Sequence, residues 1–251
     1  MNAIQKTDQD MSETAGFADY DLPQKLAQAL EKMQYTTPTP IQAQAIPAGL
    51  AGKDLLASAQ TGTGKTAAFA IPMLAHLMQN IGSSALILTP TRELAQQVQK
   101  IIKEMTMNNP LLKSVLLIGG ESMPRQIQQL QNRPRIIIGT PGRICDHLKG
   151  RVFLNKVEYV VLDEADRMLD MGFADQLKEI FKFVPATRQT VMFSATFPPS
   201  IIKFSKQYLN NPERIEIAPD KTSADNITHK ILKVDGSYKY ESLIEQLEQR
   251  E

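Results

Sequence analysis

Apolar positions along this chain follow two rhythms. Short, mainly apolar runs at Leu55–Ala57, Ala85–Thr89, Val115–Ile118, Ile136–Ile138, Val157–Leu162 and Val191–Phe193 are bounded by charge or turn residues. Runs of that length predict strands buried on both faces. Between them apolar residues recur every three or four positions, as at Leu94, Val98, Ile101, Ile102 and Met105. That spacing predicts helices over 66–78, 94–105, 123–130, 143–148, 173–184 and 200–209. Leu22, Leu26, Leu30 and Met33 predict an earlier helix over 22–33. Pro38-Thr39-Pro40 ends it and starts a short helix through Ala45. Strand–helix alternation means an α/β fold: a parallel sheet flanked by helices on both faces, joined by right-handed crossovers. Val160, Val161, Leu162, Val191, Met192 and Phe193 are the expected core.

The ends break this rhythm. Residues 1–16 are polar and read as a disordered lead-in. Residues 219–226 (PDKTSADN) are rich in turn formers and read as a linker. One strand (230–234) and one helix (240–249) are predicted after it, too few elements to bury a core. The expected organisation is an extension over 1–16, one domain over 17–218, and over 219–251 a linker with the truncated start of a second unit.

Charge adds little. The chain carries 28 basic and 27 acidic residues, net +1, so any nucleic-acid site must be a local feature. The single cysteine, Cys145, rules out an intrachain disulfide framework and reads as a small buried helix residue, compatible with a reducing cytosol and a cytoplasmic protein. No run approaches the ~20 apolar residues of a membrane helix. His76, His147 and His229 are scattered and read as structural or solvated.

The chemistry lies at the ends of the predicted strands. Residues 59–66 read AQTGTGKT, between a strand and a helix. Glycines at 62 and 64 let backbone N–H groups and the helix N-terminus cradle a phosphate. Lys65 would reach the terminal phosphates, and Thr66 would hold magnesium. A strict phosphate-loop pattern wants glycine at 59, where this chain has Ala59. The run 159–162 delivers Asp163-Glu164-Ala165-Asp166 to the carboxyl end of its strand, where open α/β sheets bind ligands. Asp163 would orient magnesium and Glu164 would be the general base for an attacking water. A hard cation bridging phosphates wants oxygen ligands, which points to magnesium and not to a softer metal.

With these motifs in order, the chain resembles the bacterial DEAD-box ATP-dependent RNA helicases over about 17–215, their whole first RecA-like domain. Pro38-Thr39-Pro40-Ile41-Gln42 resembles the family's Q motif, with Phe17 as its upstream aromatic. The resemblance implies that Gln42 reads the adenine edge and Phe17 stacks near the base. It places Tyr35, Pro40, Gln60, Thr61, Gly62, Thr63 and Gly64 in the ATP/ADP site with Lys65 and Thr66. The family usually has glycine where this chain has Gln34. Pro90-Thr91-Arg92-Glu93-Leu94-Ala95, Gly119-Gly120 and Thr140-Pro141-Gly142-Arg143 match loops the family uses on the RNA backbone. Backbone and 2′-OH contacts of that kind carry no base identity. Ser194-Ala195-Thr196 matches the coupling motif, whose hydroxyls are expected to bond Asp166.

The resemblance implies an RNA-stimulated ATPase whose parent enzyme unwinds short RNA duplexes or remodels ribonucleoproteins. It also implies a second RecA-like domain, missing here, that supplies arginine fingers worth about 10³–10⁵ in rate. The chain alone is therefore expected to bind adenine nucleotide, hydrolyse it very slowly and not unwind. Protein activators that close two domains are an implied partner class. Two other readings stay open: a nucleotide-dependent RNA- or partner-binding module without turnover, and another phosphate-loop ATPase such as a DNA translocase.

Overall fold

A computed structural model of the chain describes residues 16–60, 62–217 and 232–248. Residues 1–15 of the predicted lead-in over 1–16, and the predicted linker over 219–226, lie outside them. The chain divides into two units, residues 1–218 and 219–251.

In the first unit, α1 (Gln24–Lys32) and α2 (Pro40–Leu50) precede β1 (Leu55–Ser58). Strands and helices then alternate: α3 (Lys65–Gln79), β2 (Ser84–Leu88), α4 (Arg92–Thr106), β3 (Ser114–Leu117), α5 (Met123–Gln131), β4 (Ile136–Gly139) and α6 (Pro141–Leu148). The order continues with β5 (Val157–Leu162), α7 (Ala165–Asp170), α8 (Ala174–Phe181), β6 (Gln189–Ser194), α9 (Pro199–Tyr208) and β7 (Glu213–Glu216). All recorded strand pairs are parallel, in the order β3-β4-β2-β5-β6-β1-β7.

Successive strand residues face opposite sides of the sheet. Tyr159, Val161, Val191 and Phe193 enter the core on one face, and Val160, Leu162 and Met192 enter the core on the other. All six expected core residues are fully buried.

Three elements depart from the sequence expectation. β7 was not foreseen because Glu-Arg-Ile-Glu offers one apolar residue, Ile215. It is an edge strand on β1, its exposed positions held by the pairs Arg214–Glu216 (2.6 Å) and Lys53–Glu213 (2.7 Å). The six-residue α7 is too short to show a helical period. Helix α2 runs past Ala45 and through Pro47, because Ala48 and Gly49 are buried against α3. A Cβ on Gly49 would come within 2.8 Å of the Pro72 ring, so glycine allows the close approach of the two helices.

In the second unit, a 3₁₀ turn at Gly236–Tyr238 leads into α10 (Lys239–Glu248). Residues 232–234 are irregular where a strand was expected, and Lys230 and Ile231 lie outside the described residues.

Candidate nucleotide site and nucleic-acid interface

Strand β1 ends at Ser58 and the chain turns through Ala59–Gly64 into α3. Gly62 (φ +84°) and Gly64 (φ +89°) occupy the left-handed region that other residues avoid. Ala59 does not have a positive φ, and its methyl is buried, so the loop accepts alanine there. Thr63 Oγ1 donates to the Gln60 carbonyl at 2.7 Å and closes the loop on itself. Thr61 lies outside the described residues. Lys65 is buried at the start of α3 and its Nζ has no hydrogen-bond partner among the described residues. Thr66 follows, half-buried.

Two strands away in the sheet, β5 delivers Asp163, which is 2 % exposed. Its Oδ1 also lacks a partner among the described residues. Burial pushes its carboxyl up to about 6, against the opposing pull of the Lys65 ammonium. A buried ammonium and a buried carboxylate, both left unsatisfied, are costly unless a ligand completes them. Glu164 adopts a left-handed backbone (φ +54°) as the cap of α7, a conformation that costs a non-glycine residue about 1–2 kcal/mol. Its carboxylate sits 3.2 Å from Arg167 Nη1, a partner the sequence reading missed.

On the same carboxyl edge, the loops after β2, β3 and β4 share a cavity of about 480 Å³. Pro90, Thr91 and Arg92 line one side, Thr140, Gly142 and Arg143 another, with Gly119 between. Thr91 Oγ1 accepts from Leu94 N–H at 3.3 Å and caps α4. The Arg92 guanidinium lies over the adjacent glycines: a Cβ on Gly120 would fall 2.5 Å from its Nη1. Gly120 (φ +81°) is itself left-handed. The cavity also includes Met171 and Phe173, which no motif had singled out. Behind it, buried Gln126 donates Nε2 to the Ile118 carbonyl at 2.9 Å. Its Oε1 then accepts from His147 Nε2 at 2.8 Å. That ties the Gly119-Gly120 loop to α6, and burial lowers the His147 pKa, keeping the ring neutral.

The family model for DEAD/DEAH box helicases matches residues 39–204. This chain belongs to that family. It is 40 % identical over 242 residues to the DEAD-box ATP-dependent RNA helicase RhpA of Helicobacter pylori, covering 96 % of this chain and 49 % of that protein. It is 42 % identical over 229 residues to the ATP-dependent RNA helicase CshA of Listeria monocytogenes, covering 90 % and 44 %. A crystal structure of a DEAD box protein from Methanococcus jannaschii superposes with a TM-score of 0.78 at 36 % identity, covering 94 % of this chain and 64 % of that one. The chain spans about half the length of these curated relatives. Its first unit is the N-terminal, ATP-binding RecA-like domain of a DEAD-box helicase.

Within that DEAD-box frame, the residues around the phosphate loop hold one another. Gln42 is 4 % exposed and its amide is partly engaged: Oε1 accepts from Thr39 N–H (2.9 Å) and Nε2 donates to the Gly64 carbonyl (3.1 Å). One N–H and one lone pair remain for a base. Thr39 Oγ1 donates to the Thr63 carbonyl at 2.8 Å, so two side chains of the Pro40 helix start grip the phosphate loop. Phe17 is buried, meeting Tyr20 and Tyr35 edge-on at 6.0 and 5.4 Å between ring centres. Gln34 is left-handed (φ +60°), which explains a glycine preference there.

The coupling motif needs a correction. Its hydroxyls do not reach Asp166. Instead Asp166 Oδ2 accepts from the backbone N–H groups of Ala195 (3.0 Å) and Thr196 (3.2 Å). The Ser194 hydroxyl donates to the Thr196 carbonyl, shaping the turn that points those amides at the carboxylate. β6 lies between β5 and β1, which places the motif between Asp163 and the phosphate loop. Cys145 is half-buried, its Sγ 3.5 Å from the Gln176 carbonyl, because α6 packs only partly under α8. His76 pairs with Glu158 at 3.0 Å. His229 lies outside the described residues.

Proposed function

We propose that this domain binds ATP with magnesium and, within a complete enzyme, couples its hydrolysis to RNA remodelling. The observation that carries the reading is the pair of buried, unpartnered atoms Lys65 Nζ and Asp163 Oδ1 at the carboxyl edge of one sheet. An ammonium there suits phosphate oxygens. The Thr66 hydroxyl and the Asp163 carboxylate, both hard oxygen donors, fit magnesium. The described residues hold no cluster of three or more His, Cys, Asp or Glu able to bind a metal by itself. Magnesium held by phosphates plus one or two protein oxygens is the common arrangement for nucleotide sites. Bound, the ion would offset charge on the phosphates.

In hydrolysis a water oxygen bonds to the γ-phosphorus and the bond to the β–γ bridging oxygen breaks, giving ADP and phosphate. Glu164 accepts the water's proton; Lys65 and the loop amides hold the phosphate oxygens in place. Gln42, with its remaining donor and acceptor, selects adenine. Arg92 and Arg143 take the phosphates of an RNA strand across the cavity between their loops, with Thr91 and Thr140 on phosphate or sugar. A second RecA-like domain in the whole enzyme supplies arginine fingers, and protein activators act by bringing the domains together. A cytoplasmic setting suits this work.

The test is titration of the purified chain with ATP, ADP and GTP in magnesium, following phosphate release with and without oligouridylate RNA. Selective adenine-nucleotide binding with little turnover supports the reading. Equal affinity for GTP sinks the adenine assignment. Strong RNA-stimulated turnover would mean that this domain completes its own active site.

A further inference from the structure

A second cavity, of about 360 Å³, lies at the opposite edge of the sheet. It forms where the chain enters β2, β4 and β5, at Ser84, Arg135 and Lys156. Roughly 15 Å of strand separates it from the nucleotide and RNA loops at the carboxyl ends.

Its lining is chemically one-sided. Arg133, Arg135, Arg151 and Lys156 contribute four cations, and no lining residue is acidic. The whole chain carries a net charge of only +1, so this is a concentrated positive patch. Arg135 is fixed in the wall: its guanidinium donates to the carbonyls of Leu77 (2.7 Å), Asn80 (2.7 Å) and Ser83 (2.8 Å) at the end of α3. Arg133, Arg151 and Lys156 are exposed and form no ion pair among the described residues. The carboxylate that acts on Arg135, Glu158, is already paired with His76.

The remaining lining is apolar. Leu130, Ile137 and Val152 line the cavity, and the Phe153 ring stands beside them 75 % exposed. Arg133 also holds a left-handed backbone (φ +49°) after α5, a position where glycine is usual.

We propose that this cavity docks an acidic peptide segment of a protein partner, one apolar side chain entering the cavity while flanking carboxylates meet the arginines. Clusters of arginine recognise acidic motifs in this way. A single-stranded nucleic acid fits less well, because such strands use successive aromatic platforms and Phe153 stands alone among aliphatic residues. The site's distance from the carboxyl edge leaves ATP and RNA binding free to proceed while the partner is held.

The test uses fluorescence anisotropy with a labelled acidic hexapeptide, DDLFDE, against the charge-reversed KKLFKK and the anchorless DDGGDE. The acidic, anchored peptide should bind with a Kd of about 10–100 µM at low salt and weaken several-fold at about 0.3 M salt. Arg133→Gly relieves backbone strain, so it removes the charge without endangering the fold. Combined with Arg151→Glu it should weaken the peptide about tenfold, and Phe153→Ala about threefold, with ATP affinity unchanged. Equal binding of KKLFKK, or unchanged peptide affinity in the double variant, overturns the proposal. So does a labelled ten-nucleotide oligouridylate that loses affinity in the double variant while the peptide does not, which would assign the cavity to nucleic acid.

Discussion

The Gln42 side-chain amide donates to the Gly64 carbonyl at 3.1 Å, tying the start of α2 to the phosphate loop. The same amide accepts from Thr39 N–H, so one buried side chain holds two backbone groups in place. Gln42→Ala leaves both without that partner and should cost about 1–2 kcal/mol of stability. It should also weaken ATP more than tenfold, by removing both the base contact and the tether. Gly64→Ala attacks the same joint from the other side: its Cβ would fall 2.4 Å from Gln42 Nε2, on a backbone at φ +89°. Calorimetry of ATP binding checks both; full affinity in either variant would show that the tether is dispensable.

Asp163 is held as a stressed carboxyl, its pKa raised from 3.8 to about 6, chiefly by burial. The folded state therefore binds its proton more tightly than the unfolded chain does. This group's contribution is most favourable below about pH 3.8, declines as pH rises through 6, and is flat beyond. The difference corresponds to about 3 kcal/mol as an upper figure. Asp163→Asn should thus raise the stability of the unliganded domain at pH 7.5 by about 1–3 kcal/mol, with the gain shrinking toward pH 4. It should simultaneously abolish magnesium-dependent ATP affinity. Urea unfolding at two pH values decides it: an asparagine variant less stable at pH 7.5 would refute the burial argument.

Much of this site is legible in the amino-acid sequence, and the reasons are specific. Tyr159–Leu162 is an apolar run that reads as the end of a strand, so Asp163 could be placed at its carboxyl end. Gly62 and Gly64 were read from loop chemistry and do carry positive φ. What escaped depended on contacts between distant segments. Arg167 meets Glu164 only once α7 forms, and α7 is too short for a period. The reach of Asp166 was foreseen but its partners were not, because backbone amides leave no mark in a sequence. β7 hides its one buried residue among charges, and the basic cavity is assembled from loops that are remote along the chain.

That backbone contact changes which substitution tests coupling. Thr196→Ala removes a hydroxyl that does not touch Asp166 and leaves the turn-shaping Ser194 bond in place, so this variant should keep the Asp166 link and a large part of the coupling. Asp166→Ala removes the acceptor of two N–H groups and should uncouple RNA-stimulated hydrolysis from unwinding while leaving ATP affinity within about threefold. Under the proposed function, the comparison is made with a second RecA-like domain joined to this one, by ATPase and duplex-unwinding assays. Normal unwinding by the Asp166 variant would remove it from the coupling path.

Gly120 offers a way to separate the two ligands. Alanine there strains a backbone at φ +81° and pushes a Cβ to 2.5 Å from Arg92 Nη1. The arginine is flexible and moves aside, so the cost to folding is the backbone strain alone, about 1–2 kcal/mol. The guanidinium nevertheless leaves its position over the Gly119-Gly120 loop. RNA affinity should fall about tenfold with ATP affinity unchanged, and salt dependence should lessen by about one phosphate contact. Loss of ATP binding in parallel would mean that the loop supports the whole edge of the sheet and not only the cavity lined by Arg92 and Arg143.

Tyr159 tests how the core tolerates polarity. Its ring is fully buried in β5, against Gly49 of α2 and near His76, yet its hydroxyl finds no partner among the described residues. Burial drives its pKa far upward, so the hydroxyl stays neutral at every physiological pH. A buried, unsatisfied hydroxyl is unfavourable relative to no hydroxyl at all. Removing it leaves a void of only one oxygen atom, a smaller penalty than a deleted methyl group. Tyr159→Phe should therefore leave stability unchanged or raise it by about 1 kcal/mol, a gain of about 2–4 °C in Tm for a domain of this size. ATP affinity should not change, since the hydroxyl lies toward the amino end of β5 and Asp163 follows its carboxyl end. Thermal unfolding of the two proteins side by side is sufficient. A drop of more than about 1 kcal/mol would show that the hydroxyl is satisfied by buried water, and that α2, α3 and β5 enclose a hydrated pocket in place of a dry seam.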